Sequence, residues 1–156
     1  MQADPRIVEL LNEVLTTELT AVNQYFLNSK MCGNWGYERL AKLHRDISMD
    51  EMKDTEELID RILYFDGLPN LQRLWTVRVG ETPLEQMELA LELERDAVRR
   101  LNAGVALCLE LGDHGTREFL AAMIGDEEQH VDLWETQIDA YHKVGEAHYL
   151  AQQLHS

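Results

Sequence analysis

Apolar side chains recur at helical spacing through most of the chain, and clusters of turn residues separate the repeats. In the first segment they return every three or four residues from Ile7 to Phe26, until Gly33-Asn34-Trp35-Gly36 interrupts the pattern. A second segment runs from about 37 to 64, a third from 83 to 112, a fourth continues to 145, and a short one covers about 146–154. No strand-like alternation competes with these repeats. The sequence therefore predicts an all-α fold with four long helices and a short fifth helix.

Residues at the segment starts support this division. Asp4 can cap the first helix with Pro5 at its first position, where the missing N–H costs nothing. The third helix has the clearest start, because Thr82 is followed by Pro83 and then by Glu85 at the third helical position. We therefore expect helices to begin just after Asp4 and Thr82.

The connection between the second and third helices is much longer than the other connections. The second helix should be roughly 42 Å long, at about 1.5 Å per residue. The stretch from Phe65 to Gly80 can span roughly 50 Å when extended. Long unstructured loops are uncommon in compact domains, so this one is expected to run the length of the bundle as a single crossover. The second and third helices would then lie parallel, and each short connection would join antiparallel neighbours.

Size and composition narrow the function classes. The 156 residues fit one domain over 1–156, and a net charge of −15 is too acidic for a nucleic-acid binder. The first residues lack the pattern of a secretory signal, and no apolar run approaches the ~18 residues of a membrane span. Cys32 and Cys108 lack a metal-type spacing and are expected to be reduced thiols. We expect a cytoplasmic protein.

Four glutamates are spaced in two equal pairs. Glu18 and Glu51 lie 33 residues apart, as do Glu94 and Glu127. Glu127 opens a Glu-x-x-His motif that ends at His130, and a helix presents residues i and i+3 on one face. One Glu from each of two helices, with a Glu-x-x-His from each of two others, is the way a four-helix bundle holds two iron or manganese ions. The first half of the chain departs from this pattern, since Asp54 stands where the second histidine is expected.

These glutamates lie within apolar stripes of their helices. Glu18 shares a face with Leu15 and Val22, and Glu51 with Ile47 and Leu58. With 29 acidic residues in the chain, a matched spacing can arise by chance on solvated helix faces. Carboxylates that face inward, however, each cost several kcal/mol when unpaired, and divalent cations would offset that cost. Oxygen-rich ligation with imidazole suits iron or manganese.

The sequence resembles the bacterioferritins over essentially its whole length. The segments that carry the resemblance are Glu18–Leu27, Asp50–Lys53, Asp66–Gln72, Glu127–His130 and Leu133–Gln137. The resemblance implies a ferritin-like bundle, assembled from two-fold dimers into a hollow shell of 24 subunits that stores a ferric mineral. It implies ferroxidase activity, in which ferrous iron is oxidised by dioxygen or peroxide at a di-iron centre. Five of the six family ligands are matched, with Glu51 and Glu127 bridging: Glu18, Glu51, Glu94, Glu127 and His130.

The resemblance also implies a haem b between paired subunits and a ferredoxin-type reductant that drives iron release. Met52 matches the axial ligand that each subunit of a pair contributes to the haem iron, and a thioether pair raises the reduction potential. From the residues alone, Met49, Met52, Thr55 and Ile59 form a helical stripe that would pack on another subunit. The residues expected to line the haem pocket are Leu19, Val22, Asn23 and Phe26. Tyr25, beside Glu18, is either a redox-active or hydrogen-bonding neighbour of the metals or a structural tyrosine.

Asp54 leaves three interpretations open. In the first, the aspartate ligates iron directly or through water. In the second, the centre is impaired, because five carboxylates and one histidine repel one another more than four carboxylates and two histidines do. In the third, the chain is a haem-bearing, non-catalytic subunit that co-assembles with a ferroxidase-competent second subunit. Two other classes fit less well. A rubrerythrin-type enzyme usually carries an extra Cys-rich iron domain, and a cytokine-like binding bundle would not place carboxylates inward.

Overall fold

The computed structural model describes residues 1–155, which form five helices. Helix α1 spans Pro5–Asn34, α2 Glu38–Tyr64, α3 Pro83–Leu111, α4 His114–Val144 and α5 Glu146–Ala151. No strand occurs within these described residues. The predicted all-α fold, with four long helices and a short fifth one, is confirmed.

The predicted start signals act as expected. The Asp4 side chain accepts a hydrogen bond from the backbone N–H of Arg6 at the start of α1. At the start of α3, Thr82 Oγ1 accepts from the backbone N–H of Glu85 at 3.1 Å. The Glu85 carboxylate in turn accepts from the backbone N–H of Glu81 at 2.9 Å, one residue before the cap. At the start of α3, the side chains of Thr82 and Glu85 therefore each accept a hydrogen bond from a backbone N–H group.

The helices pack as two hairpins. Helix α1 lies along α2, α3 lies along α4, and α1 contacts α3 across the bundle. The first pair is antiparallel, because Ser29 Oγ donates to the carbonyl of Ala41 and Ser48 Oγ donates to the carbonyl of Val22. The connections 35–37 and 112–113 are so short that the helices of each pair must be antiparallel.

The long connection crosses the full height of the bundle along α1. Asn12 pairs with the backbone of residues 68 and 70, Thr20 with that of Trp75, and Gln24 with that of Arg78. Residue numbers increase in the same direction along α1 and along the connection, so the two segments run parallel. The connection therefore returns the chain to the end of the bundle where α2 began. The predicted single crossover, with α2 and α3 parallel, is confirmed.

The apolar core consists of two clusters, one in each half of the bundle. One cluster is built around Leu11, Leu58, Leu101 and Leu120, and the other around Tyr25, Leu40, Met87, Trp134 and Tyr149. The sequence positions show that a layer near the middle of each long helix separates them. Cys32 and Cys108 are buried free thiols, and Cys32 Sγ donates a hydrogen bond to Gln86 Oε1.

None of the helices among residues 1–155 combines the length and apolar character required to cross a membrane.

Candidate metal centre

The layer between the two apolar clusters contains four glutamates, one from each long helix. Glu18, Glu51, Glu94 and Glu127 are each at most 1% exposed. They occupy the apolar stripes of their helices, so the packing that buries neighbouring leucines buries them as well. The predicted convergence of these side chains in the bundle interior is therefore observed.

Ligand-type atoms group into two overlapping sets in this layer. In one set, Glu18, Glu51, Asp54 and Glu127 each present an oxygen, and these atoms lie within 4.8 Å of one another. In the other set, Glu51, Glu94, Glu127 and His130 do the same. Glu51 and Glu127 belong to both sets, which is the placement that bridging ligands require. All six residues singled out from the sequence are therefore brought together, Asp54 among them.

His130 points its ring into the carboxylates. Its Nδ1 lies 3.1 Å from Glu51 Oε1, 3.5 Å from Glu94 Oε2 and 3.7 Å from Glu127 Oε2. None of these contacts is a hydrogen bond, so Nδ1 is without a partner. One nitrogen facing three carboxylate oxygens suits a shared cation at their centre.

Unpartnered buried oxygens show that these residues fit a metal centre. Both carboxylate oxygens of Glu18 and both of Glu51 lack a hydrogen-bond donor, as do Glu94 Oε2 and Glu127 Oε1. Buried polar groups in proteins are nearly always paired, and an unpaired buried charge costs several kcal/mol. A cluster of such oxygens is what two divalent cations would satisfy, since oxygen ligands are those that iron and manganese accept.

The pKa values of the carboxyl groups reflect this environment. Burial raises the pKa of Glu51 to about 8, with the charge of Glu127 adding to the effect and His130 opposing it. Burial, followed by the proximity of Glu94, raises the pKa of Glu127 to about 8. Burial and the charges of Glu51 and Glu127 raise the pKa of Asp54 to about 8. Without a cation, these groups hold protons near neutral pH.

The imidazole of His130 responds in the opposite direction. Burial alone lowers its pKa, but the neighbouring carboxylates of Glu127, Glu51 and Glu94 together outweigh burial and raise it. The metal-free centre therefore favours a protonated histidine next to partly protonated carboxyl groups. A cation that binds here replaces those protons.

Tyr25 contacts the centre through Glu94. Its hydroxyl donates to Glu94 Oε1 at 2.7 Å and accepts from Trp134 Nε1 at 2.8 Å. Burial and the Glu94 charge hold the pKa of Tyr25 well above its ordinary value, so the phenol stays protonated. This supports the hydrogen-bonding role expected for Tyr25: it orients one oxygen of Glu94 and leaves the other for the centre.

His44 is a buried residue near this layer that the sequence analysis did not single out. Its ring stacks on Trp134 at 4.8 Å between centroids, and both ring nitrogens lack a partner. Burial lowers its pKa to about 3, so it is neutral. The sequence signal that indicates its burial is its spacing, because His44 lies on the same helical stripe as Ile47 and Glu51. It belongs to neither set of ligand atoms.

The residues expected to meet a haem lie on the surface of the subunit. Met52 is half-buried, and the four pocket residues range from half-buried Leu19 and Val22 to exposed Asn23 and Phe26. One member of the expected stripe was assigned wrongly. Thr55 is buried, and its hydroxyl donates to the carbonyl of Glu51 at 2.9 Å, because its position on α2 turns it toward the core.

Comparisons with known proteins agree with this geometry. The protein-family model for the ferritin-like domain matches residues 8–144 of this chain. Bacterioferritin BfrA of Mycobacterium tuberculosis is 49% identical over 152 residues, which cover 97% of this chain and 96% of that protein. The bacterioferritin of Streptomyces coelicolor is 46% identical over 151 residues, covering 97% and 90% of the two chains. The chain belongs to the bacterioferritin family.

A third relative shows the same similarity over almost the whole chain. The bacterioferritin of Brucella melitensis is 40% identical over 149 residues, which cover 96% of this chain and 92% of that protein. Such coverage includes all four long helices and the crossover, so the whole bundle shares the family's framework. Within that framework, Asp54 stands where the resemblance to bacterioferritins leads us to expect histidine, and its carboxylate reaches the centre.

Proposed function

We propose that the chain is an iron-storage subunit of the bacterioferritin type, which binds ferrous iron at the bundle centre and promotes its oxidation. The single observation that carries this proposal is the pair of overlapping ligand sets formed by Glu18, Glu51, Asp54, Glu94, Glu127 and His130. Family membership supports iron as the cargo. The unpartnered oxygens of the buried glutamates supply the physical reason for cation binding.

Ferrous iron is the substrate of the proposed reaction, and dioxygen or peroxide is the oxidant. Two ferrous ions each lose one electron, and the two electrons with two protons convert dioxygen to hydrogen peroxide or peroxide to water. The chain's residues provide the geometry for this step. Glu51 and Glu127, which belong to both ligand sets, would hold both ions, and Glu18 and Glu94 would each bind one of them. Anionic oxygen ligands stabilise the ferric product over the ferrous substrate, since the higher charge gains more from carboxylates.

The subunit is proposed to work in a shell of 24 copies built from two-fold dimers. Its surface supports assembly, because large apolar side chains remain uncovered on α1, α2 and the crossover. Phe26 is 48% exposed, Met49 50%, and Leu68 84%. Uncovered apolar side chains such as these would be available for contacts between subunits. Ferric mineral would accumulate inside the shell, and a cytoplasmic location remains a prediction.

Haem b and a ferredoxin-type reductant complete the proposal. Met52 would supply an axial thioether to a haem held between two subunits, next to Leu19, Val22, Asn23 and Phe26. These side chains are half-buried or exposed in the single subunit, so a second copy could cover them. Haem would supply one-electron transfer to the stored mineral, and the residues of the chain would hold it in an apolar setting that favours the reduced state.

Rapid-mixing kinetics of ferrous iron oxidation by the purified assembly test the proposal. The wild-type protein should show a fast phase that Glu18→Ala abolishes, because this substitution removes a buried ligand from the first set. Glu9→Ala is the matched control, since Glu9 is an exposed glutamate on the same helix. A wild-type rate no faster than that of Glu18→Ala would reject a working centre.

Asp54 favours one alternative function, a haem-bearing subunit without ferroxidase activity in a mixed shell. An aspartate is shorter than a histidine and adds a fifth carboxylate to the centre. In this case the purified chain should bind one haem for every two copies and lack the fast phase. Asp54→His should then gain a fast phase, whereas no gain would count against an impaired centre as the explanation.

A further inference from the structure

The two sets of ligand atoms differ in chemistry. The Asp54 half, formed by Glu18, Glu51, Asp54 and Glu127, contains only carboxylate oxygens. The His130 half, formed by Glu51, Glu94, Glu127 and His130, contains the one nitrogen of the six side chains. Glu51 and Glu127 are common to both halves. The halves therefore differ only in their other two ligands, which are Glu18 and Asp54 in one half and Glu94 and His130 in the other.

The unshared glutamates also differ in their hydrogen bonding. Glu94 gives one oxygen to the Tyr25 hydroxyl, so only its second oxygen faces the centre without a partner. Glu18 is 1% exposed, and neither of its oxygens has a donor. A fully buried carboxylate with both oxygens unpaired requires a cation more strongly than one that a phenol already neutralises in part.

Further negative charge lies near Asp54. The carboxylates of Asp126 and Glu57 lie close enough for their charges to act on it, and both residues are exposed. The centre itself carries five carboxylates, and two divalent cations supply only four positive charges. The excess negative charge lies on the side of Asp54, where a cation of higher charge, such as ferric iron, gains most from it.

We propose that the two halves differ in cation preference: relative to the His130 half, the Asp54 half favours hard, oxygen-preferring cations such as Mn²⁺ or ferric iron over borderline cations such as Zn²⁺. This inference rests on the proposed function, because it takes the centre to hold two metal ions. Imidazole favours zinc and iron, whereas carboxylate favours manganese, so a site made only of oxygen discriminates least in favour of Zn²⁺. A centre with histidine at both positions would lack this inequality.

Anomalous diffraction on crystals of the intact assembly tests the proposal without reference to activity. Crystals are soaked with excess Mn²⁺ and a smaller amount of Zn²⁺, and data are collected on both sides of the zinc absorption edge. The Zn:Mn ratio at the His130 half should exceed that at the Asp54 half several-fold. In Asp54→His the two ratios should become equal, because each half then has one nitrogen.

Glu56→His is the matched control, because it places a new imidazole on an exposed position of the same helix and should leave the wild-type difference unchanged. Equal ratios in the two halves of the wild-type centre would overturn the inference while the proposed function stands. Absence of both metals from both halves would overturn both. If Asp54→His does not assemble, the comparison of the two halves within one wild-type crystal still decides the question.

Discussion

Loading the centre with a redox-inert cation should release protons, and the number released should depend on pH. Glu51, Asp54 and Glu127 each have a pKa of about 8 in the metal-free protein. At pH 7 each is therefore roughly nine-tenths protonated, and at pH 9 roughly one-tenth protonated. A metal-bound carboxylate carries no proton. These three groups should release about two to three more protons per subunit at pH 7 than at pH 9.

His130 does not change this difference. Its raised pKa keeps it protonated across the whole range, and as a ligand it loses that proton at every pH. It adds the same amount to the release at pH 7 and at pH 9. The sign of the dependence is therefore set by the carboxyl groups alone: release decreases, and apparent affinity for the cation increases, as the pH rises toward 9.

Calorimetric titration with Zn²⁺ in buffers of different ionisation enthalpy counts these protons directly. Asp54→Asn should lower the difference between pH 7 and pH 9 by about one proton, because it removes one of the three titrating groups. Glu56→Gln, an exposed carboxyl on the same helix, should leave the difference unchanged. A release that is the same at pH 7 and pH 9 would refute the reasoning, since it would mean that the carboxyl groups are already ionised without metal.

Two further predictions concern stability. Folded metal-free protein holds the Glu51 proton up to about pH 8, whereas the unfolded chain loses it near 4.5, so the thermal midpoint should fall as the pH rises between these values. Each such proton should contribute about 1.4 kcal/mol per pH unit to the slope of the free energy of unfolding, and Glu51→Gln should make the slope shallower by about that amount; a midpoint that rises with pH over this window would contradict the reasoning. Gly80→Ala should destabilise the protein by about 1–3 kcal/mol, because its Cβ would lie 2.6 Å from the backbone nitrogen of Gln86. Gly125→Ala, with open space around the new atom, should be neutral or stabilising in the same melting experiment.

The helices could be predicted from the sequence because their signals are local. Apolar periodicity, the caps at Asp4 and Thr82, and the breaks at turn clusters each involve a few neighbouring residues. The direction of the crossover also followed, since its length relative to the helices allowed only one economical path. Its attachment to α1 was not foreseen. In the sequence, nothing distinguishes Asn12, Thr20 and Gln24 from other polar helix residues. Their hydrogen bonds to the crossover backbone join segments more than fifty residues apart.

The centre could be predicted because its residues obey the same periodicity as the core. Glutamates within apolar stripes must turn inward, and equal spacing in two hairpins brings them to one level. Thr55 and His44 show where this reasoning stops. Thr55 is spaced both for the stripe of Glu51 and Leu58 and for that of Met52 and Ile59, so only the packing of the surrounding helices decides which way it points. His44 lies on the stripe of Ile47 and Glu51, but periodicity alone predicts its burial and not a role at the centre. For Thr55 the hydroxyl is satisfied by the preceding turn, so burial costs little.

Asp54 shows what the three-dimensional arrangement adds to a motif. From spacing alone, an aspartate in place of a ligand histidine fits a lost site as well as an altered one. In the structure its oxygen lies with those of Glu18, Glu51 and Glu127, and burial with neighbouring charge raises its pKa. A side chain that had merely lost its role would gain by turning to solvent, where its charge is hydrated. Its position next to three other carboxylates makes energetic sense when a cation or a proton is shared among them, and for this reason we expect an altered centre rather than a lost one.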